Sequence, residues 1–311
     1  MLGLIVATGT TSGCDRAADA PQLNPDDPIA MRATITAIES SLQSARFSEA
    51  LRIATRLTEV APQSCEAFEL LGRVEIALSL DARAPLAQQT ARNAAAAAYK
   101  RAVELCAPSA GLLNAAGVAA QSADDLAGAV GFFARARELD PTNPQHPLFQ
   151  GLALMQMSQF DAAGVSLARA RALDPQSPWV VAALSGLALQ QGDAPRALEL
   201  AREARLLDPR SDELRIAEAK ALRKLARHQE VLTLLLALPE RARLTEAIAW
   251  EIAAAHESMG DPTAAAEAWA KWAEFCGTAE SALDAARRWT LAKDPIQAQT
   301  WSMVARQRGA R

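Results

Sequence analysis

Small and apolar residues recur along most of this chain at a spacing of 34 positions. One series comprises Ala95, Ala129, Ala163, Ala197, Val231 and Ala265, and a second comprises Ala102, Ala136, Ala170 and Ala204. The dipeptide Asp-Pro recurs in phase with them, starting at Asp140, Asp174 and Asp208, each time directly after a leucine. Because proline cannot continue a helix, each Asp-Pro indicates a helix end. The pattern therefore predicts a repeated helical unit.

The composition agrees with an all-helical chain that has a continuous core. Half of the 311 residues are hydrophobic, whereas aromatic residues make up only 5%. Strands draw on aromatic and β-branched residues, so an alanine-rich chain poor in aromatics favours closely packed helices over a sheet.

Two kinds of position within the repeat carry a resemblance to a known family. Small residues recur where two helices would press together, at Gly72, Gly117, Gly151, Ser185, Ala219 and Ala253. Bulky or aromatic residues recur at the turn (Phe47, Phe160, His228) and in the following helix (Tyr99, Phe133, Trp269). This arrangement resembles the tetratricopeptide-repeat (TPR) family, whose unit is a pair of antiparallel helices. The resemblance implies an all-α, right-handed superhelical solenoid of about seven to eight helix pairs.

The repeat also divides the chain. We expect a signal remnant at 1–14, a flexible tether at 15–28, a TPR solenoid at 29–311 and a degenerate cap at 280–311. The units begin near Met31, Cys65, Ala110, Pro144, Pro178, Asp212 and Glu246. About eleven extra residues near 81–91 amount to ~3 helical turns. We interpret Pro85–Leu105 as one overlong helix, and a surface loop is the alternative.

Charge and motifs argue against catalysis and against nucleic acid. The net charge of −4 lacks the basic excess that phosphate binding requires. His146, His228 and His256 show no metal-binding spacing, and neither a phosphate-binding loop nor a Gly-x-Ser-x-Gly nucleophile motif occurs. We therefore predict no enzyme activity, cofactor, metal or small-molecule substrate.

The N-terminus contains a candidate lipidation site. Leu2–Val6 is apolar, and Thr11-Ser12-Gly13 precedes Cys14. This resembles the end of a bacterial lipoprotein signal, although a basic start is missing and the apolar run is shorter than the usual ~7–15 residues. No other segment reaches about 18 consecutive apolar residues, so we expect membrane contact only through a lipid on Cys14. The alternative is an N-terminus that contains a cysteine without being anchored.

Cys65 and Cys106 form the second cysteine feature. Cys65 opens the first helix of its unit and Cys106 closes the second, so antiparallel pairing brings both to the same pole. Two interpretations remain open: a disulfide in an exported protein, or reduced cysteines that pack as small hydrophobes.

The resemblance implies a binding groove lined by the first helix of each pair, and a protein or peptide partner. The most apolar slots belong to the fourth and fifth units, and a basic shelf follows on the sixth. The predicted groove residues are Leu148, Leu152, Met155, Trp179, Leu189, Lys220, Arg223 and Lys224. The expected ligand is an amphipathic helix or extended segment with apolar anchors next to acidic residues. Packing between neighbouring first helices is the alternative role for Leu148, Leu152 and Met155.

Three functions fit these features. The first is an adaptor anchored in the bacterial cell envelope, facing the periplasm, that assists the assembly of another complex. The second is a cytoplasmic TPR adaptor or regulator without an anchor. The third is an accessory subunit of an enzyme.

Cys14 is expected to be the lipidated N-terminus of the mature protein. Mass spectrometry of protein from the native host, expressed from its genuine start, should detect a diacylglyceryl group on this cysteine. Soluble protein that keeps an unmodified Met1 would contradict the prediction.

Overall fold

The computed structural model describes residues 27–82 and 85–310. Cys14 and nearly all of the expected tether lie outside this range. The chain divides into two compact units, residues 1–125 and 126–311. The described part of the first unit contains α1 (Pro28–Gln43), α2 (Phe47–Val60), α3 (Cys65–Asp81), α4 (Pro85–Leu105) and α5 (Ala110–Ser122).

The second unit continues the same pattern of paired helices. Its described helices are α6 (Leu126–Leu139), α7 (Gln145–Gln156), α8 (Phe160–Leu173), α9 (Pro178–Gln190), α10 (Ala194–Leu207), α11 (Asp212–Lys224), α12 (His228–Leu236), α13 (Glu240–Arg243), α14 (Glu246–Ser258), α15 (Pro262–Cys276), α16 (Ala279–Leu291) and α17 (Pro295–Gln307). The all-α prediction is confirmed for the described residues.

Within each unit most consecutive helices pack against each other, and the first helices of successive pairs also contact each other. In the first unit α1 contacts α3 and α3 contacts α5. In the second unit α7 contacts α9, α9 contacts α11, and α11 contacts α14. Within each unit the first helices therefore form one layer, and the second helices lie outside it.

Small residues allow the two helices of a pair to approach closely. A Cβ atom on Gly72 would lie 2.6 Å from the ring of Tyr99 on α4, and one on Gly151 would lie 2.7 Å from Leu167 on α8. In the α9/α10 pair the same slot holds Ser185, whose hydroxyl donates a hydrogen bond of 2.7 Å to the Ala197 carbonyl. These three predicted small positions thus lie at close contacts between paired helices.

The helix ends follow from local chemistry. Helices α6, α8 and α10 end at Leu139, Leu173 and Leu207, directly before the Asp-Pro pairs, as the sequence predicts. Helix α1 starts at Pro28, earlier than the expected start near Met31, because the Asp27 carboxylate accepts hydrogen bonds from the amides of Ile29 and Ala30.

Outside the α3/α4 pair, the turn inside each described helix pair contains a residue with positive φ. Gly192 and Gly260 occupy this position with φ of 85° and 80°, whereas Asp124, Ser158 and Ala226 adopt φ of 69°, 59° and 56°. These residues also lie 34 apart, and the left-handed conformation satisfies the carbonyls at the helix end. The turn therefore requires positive φ even where the residue is not glycine, and the backbone is strained at those positions.

The inserted segment is helical where it is described. Helix α4 runs without a break from Pro85 to Leu105 and has 21 residues, against 14 for α2 and α6. At its start the Gln88 side chain donates a hydrogen bond of 2.7 Å to the Ala82 carbonyl. The overlong-helix interpretation is confirmed for residues 85–105.

Replacing Gly151 with alanine should lower the free energy of unfolding by about 1–3 kcal/mol, because the new methyl group overlaps buried Leu167. Gly131→Ala on α6 is the matched control, since nothing lies within 4 Å of a Cβ at that position. The control should be neutral or stabilising by up to about 1 kcal/mol, from helix propensity alone. Urea denaturation followed by circular dichroism measures both changes, and equal effects would contradict the close approach.

Candidate functional site

An open apolar groove of about 570 Å³ lies between α7 and α9. We call it the α7/α9 groove. Its lining consists of apolar side chains with a few polar residues at one rim: Pro144, Gln145, Leu148, Phe149, Leu152, Met155, Asp174, Ser177, Trp179, Val180, Ala182, Ala183 and Gly186. The space exists because α9 presents small residues, Ala182 and Gly186, towards the longer side chains of α7.

Both helices that carry the groove are fixed by polar contacts on their far sides. The side-chain carbonyl of buried Gln150 on α7 accepts hydrogen bonds from Arg137 at 2.9 Å and from Ser166 at 3.4 Å. These bonds join α7 to α6 and α8. Helix α9 is held to α10 by the Ser185 hydroxyl and is capped by Ser177. The groove walls are therefore set by the scaffold before any ligand binds.

The predicted groove residues divide into accessible and inaccessible ones. Trp179 is 48% exposed, and Leu152 and Met155 are half-buried in the lining. Leu148 is only 8% exposed, so it forms part of the floor instead of an accessible anchor. The reason is its position in the core cluster of α7, α8 and α9, where it joins Leu167.

Leu189 is also placed differently from the prediction. It is absent from the groove lining and packs, half-buried, against the core cluster that includes Leu222 on α11. Leu189 lies near the C-terminal end of α9, a helix that packs against α11. For Leu148 the packing alternative therefore describes the structure better than the binding one, and the prediction of Leu189 as a groove residue is corrected to a packing residue.

The predicted basic shelf on α11 contains two accessible cations instead of three. Lys220 and Lys224 are exposed, and neither forms an ion pair with another described residue. Arg223 instead binds Glu251 on α14, with 2.8 Å between its Nε and the carboxylate, and its guanidinium lies 4.6 Å from the centre of the Trp250 ring. Glu251 is only 1% exposed, so Arg223 neutralises a buried carboxylate and is corrected from a ligand contact to a structural one.

Sequence reasoning missed several lining residues. Phe149 lies beside Leu148, outside the recurring slots, and its ring stacks on Phe133 with 5.7 Å between centroids. Asp174 lines the groove from the turn before α9 and is therefore a rim carboxylate. The Asp-Pro repeat identified that turn, but only as a helix end.

His146 is buried at the start of α7, next to the exposed groove residue Gln145. Burial lowers the pKa of His146 because water is excluded from the imidazolium form, and the negative charge of Asp140 counters this in part. The folded chain therefore holds the neutral imidazole more strongly than an unfolded chain does.

The remaining predicted sites have different outcomes. Cys14 lies outside the described residues, so the lipidation site stays a prediction. Cys65 and Cys106 are both free thiols and both partly exposed. Within residues 27–82 and 85–310, no group of three or more His, Cys, Asp or Glu side chains is arranged to hold a metal ion. None of the described helices combines the length and the apolar character needed to cross a bilayer.

Comparison with known proteins identifies the fold. No family model and no curated protein matches the chain. A tetratricopeptide-repeat protein from Parabacteroides merdae matches with a TM-score of 0.63 at 10% identity, over 88% of this chain and 98% of that one. The Cut9–Hcn1 structure of the APC/C matches at 0.52 and 16% identity, over 83% of this chain and 52% of that one. Yeast Tom70 matches at 0.51 and 16%, over 84% and 59% respectively.

The TM-scores above 0.5 indicate a shared fold, although the sequence identities are low. Together with the 34-residue period and the paired helices, they define an all-α TPR solenoid, so the predicted fold class is confirmed.

Acidification should destabilise the fold partly through His146. Its folded-state pKa lies below the ordinary value of 6.5, so the stability it contributes is present above that pH and is lost as pH falls towards the folded-state pKa. The glutamine variant His146→Gln cannot titrate and should lose less melting temperature between about pH 7.5 and about pH 5 than the parent chain. Thermal scans at both pH values measure this, and an identical loss in both proteins would contradict the assignment.

Proposed function

We propose that this chain is a non-enzymatic scaffold that binds a segment of another protein in the α7/α9 groove. The observation that carries the proposal is the half-exposed Trp179 at the edge of an open apolar groove whose walls are held in place from behind. Exposed apolar surface rimmed by polar residues is typical of recognition sites, and tryptophan is enriched among the residues that dominate binding energy. The TPR fold supports the same class of function.

The bound segment carries apolar side chains followed by acidic ones. Trp179, Leu152 and Met155 offer contacts to the apolar part, and the small residues of α9 leave room for side chains to enter. Lys220 and Lys224 lie on α11, which packs next to α9, and their charges are not neutralised by described carboxylates. Arg223 contributes indirectly, by holding Glu251 and the exposed ring of Trp250 in place.

We further propose that the scaffold is anchored by a lipid on Cys14 and works at the periplasmic face of the bacterial envelope, where it assists the assembly of another complex. Support comes from the small residues before Cys14 and from the acidic, proline-containing segment that follows it. Such a segment suits a tether between an anchor and a folded scaffold.

A library of displayed random peptides, selected on the full chain, tests the groove directly. Peptides enriched on the parent chain should bind Trp179→Ala about 2 kcal/mol more weakly, because a central aromatic anchor is lost. Val165→Ala on the second helix α8 is the matched control, since this valine is 74% exposed and lies outside the groove. Titration calorimetry gives both affinities, and equal binding to the parent and to Trp179→Ala would rule out the groove.

The charge of the partner is tested with the same selected peptides. Reversing Lys220 and Lys224 to glutamate should slow association and weaken its dependence on salt, because both lysines attract acidic residues. Reversing Lys271 and Lys293, which are exposed and outside the groove lining, changes the net charge equally and serves as the control. Unchanged association kinetics after the Lys220/Lys224 reversal would identify those lysines as solvated surface only.

A further inference from the structure

The two ends of the α3/α4 hairpin differ in chemistry. At one end α3 stops at Asp81 and α4 begins at Pro85, so the connection is short. At the other end Cys65 is the first residue of α3, and Cys106 directly follows Leu105, the last residue of α4. Because the two helices pack along each other in opposite directions, their open ends lie together.

The two thiols interact at this open end. The neighbouring Cys65 thiol, followed by burial, raises the pKa of Cys106 to about 11. The Cys106 thiol also donates to the Ala102 carbonyl, with 3.5 Å between Sγ and the oxygen. Both cysteines are partly exposed, so a small reagent can reach them. Cys276 lies in the other unit and is exposed.

We propose that Cys65 and Cys106 are a modification site at which an intramolecular disulfide closes the open end of the α3/α4 hairpin. The bond forms in an oxidising compartment by exchange with a disulfide donor such as oxidised glutathione. The proposal is independent of the α7/α9 groove, which lies in the second unit.

The exchange takes two steps. The Cys65 thiolate attacks one sulfur of the donor, its S–S bond breaks, and one donor thiol leaves with the proton from Cys65. The Cys106 thiolate then attacks the Cys65 sulfur of the mixed disulfide, and the second donor thiol leaves with the proton from Cys106. The protein loses two protons and two electrons, and the donor is reduced to two thiols. The exchange balances equally when Cys106 makes the first attack and Cys65 the second.

The disulfide has a structural consequence in the first unit. It closes a ring of about forty residues that contains both helices of the longest pair, and it removes conformational freedom from the unfolded chain. It also ties the turn between α2 and α3 to the turn between α4 and α5. Repeat units contact only their neighbours, so a covalent link at these two turns opposes local opening of the first unit.

Peptide mapping tests the bond itself. The full chain carrying Cys14→Ser is reduced, treated with oxidised glutathione and digested without reductant. We expect a peptide pair linked through Cys65 and Cys106 within a monomer, and a glutathione adduct on Cys276, which reports that the reagent was active. Separate glutathione adducts on Cys65 and Cys106, or failure of both to react while Cys276 does, would overturn the proposal.

Thermal unfolding of the same samples tests the consequence. The oxidised chain should melt about 5 °C or more above the reduced chain, since a ring of this size stabilises measurably. The Cys106→Ser variant, treated identically, should show no such rise, whereas Cys276→Ser should behave like the parent. A linked chain that melts no higher than the reduced one would contradict a stabilising role for the bond.

Discussion

The close approach of the two helices in each pair is the constraint on which the rest of this structure depends. Gly72 lies against Tyr99 and Gly151 against Leu167, so no side chain fits between them. Ser185 occupies the same slot in the α9/α10 pair, and its buried hydroxyl donates a hydrogen bond to the Ala197 carbonyl on the facing helix. A larger residue would separate the two helices of that pair. The 34-residue period in the sequence is therefore the period of this contact.

The groove is a consequence of the same packing. On α7, Gly151 faces α8, which draws Leu148 into the core, while Leu152 and Met155 point towards α9. On α9 the opposing positions are the small residues Ala182 and Gly186, so the space between the two helices stays open. Trp179 stands at its edge because it follows Pro178, the first residue of α9. A site of this kind requires no residue outside the repeat.

Features that repeat could be predicted from the sequence, and features that depend on a single distant neighbour could not. The Asp-Pro pairs predicted three helix ends. The inserted residues amount to whole helical turns, which indicated that α4 is continuous. The exposure of Leu148 could not be predicted, because the family slot does not specify how deeply a side chain sinks into the core. The pairing of Arg223 with Glu251 was missed because the carboxylate is contributed by the next helix pair, 28 residues away.

Amide hydrogen exchange of the full chain, with and without a peptide selected on it, tests most directly that the first helices of the second unit form a binding surface. A bound segment shields the helices it contacts from solvent and from local opening. We expect exchange to slow in α7, α9 and α11, and to remain unchanged in the second helices α8 and α10. Protection centred on α8 and α10, or spread evenly over both layers, would contradict a binding groove between α7 and α9.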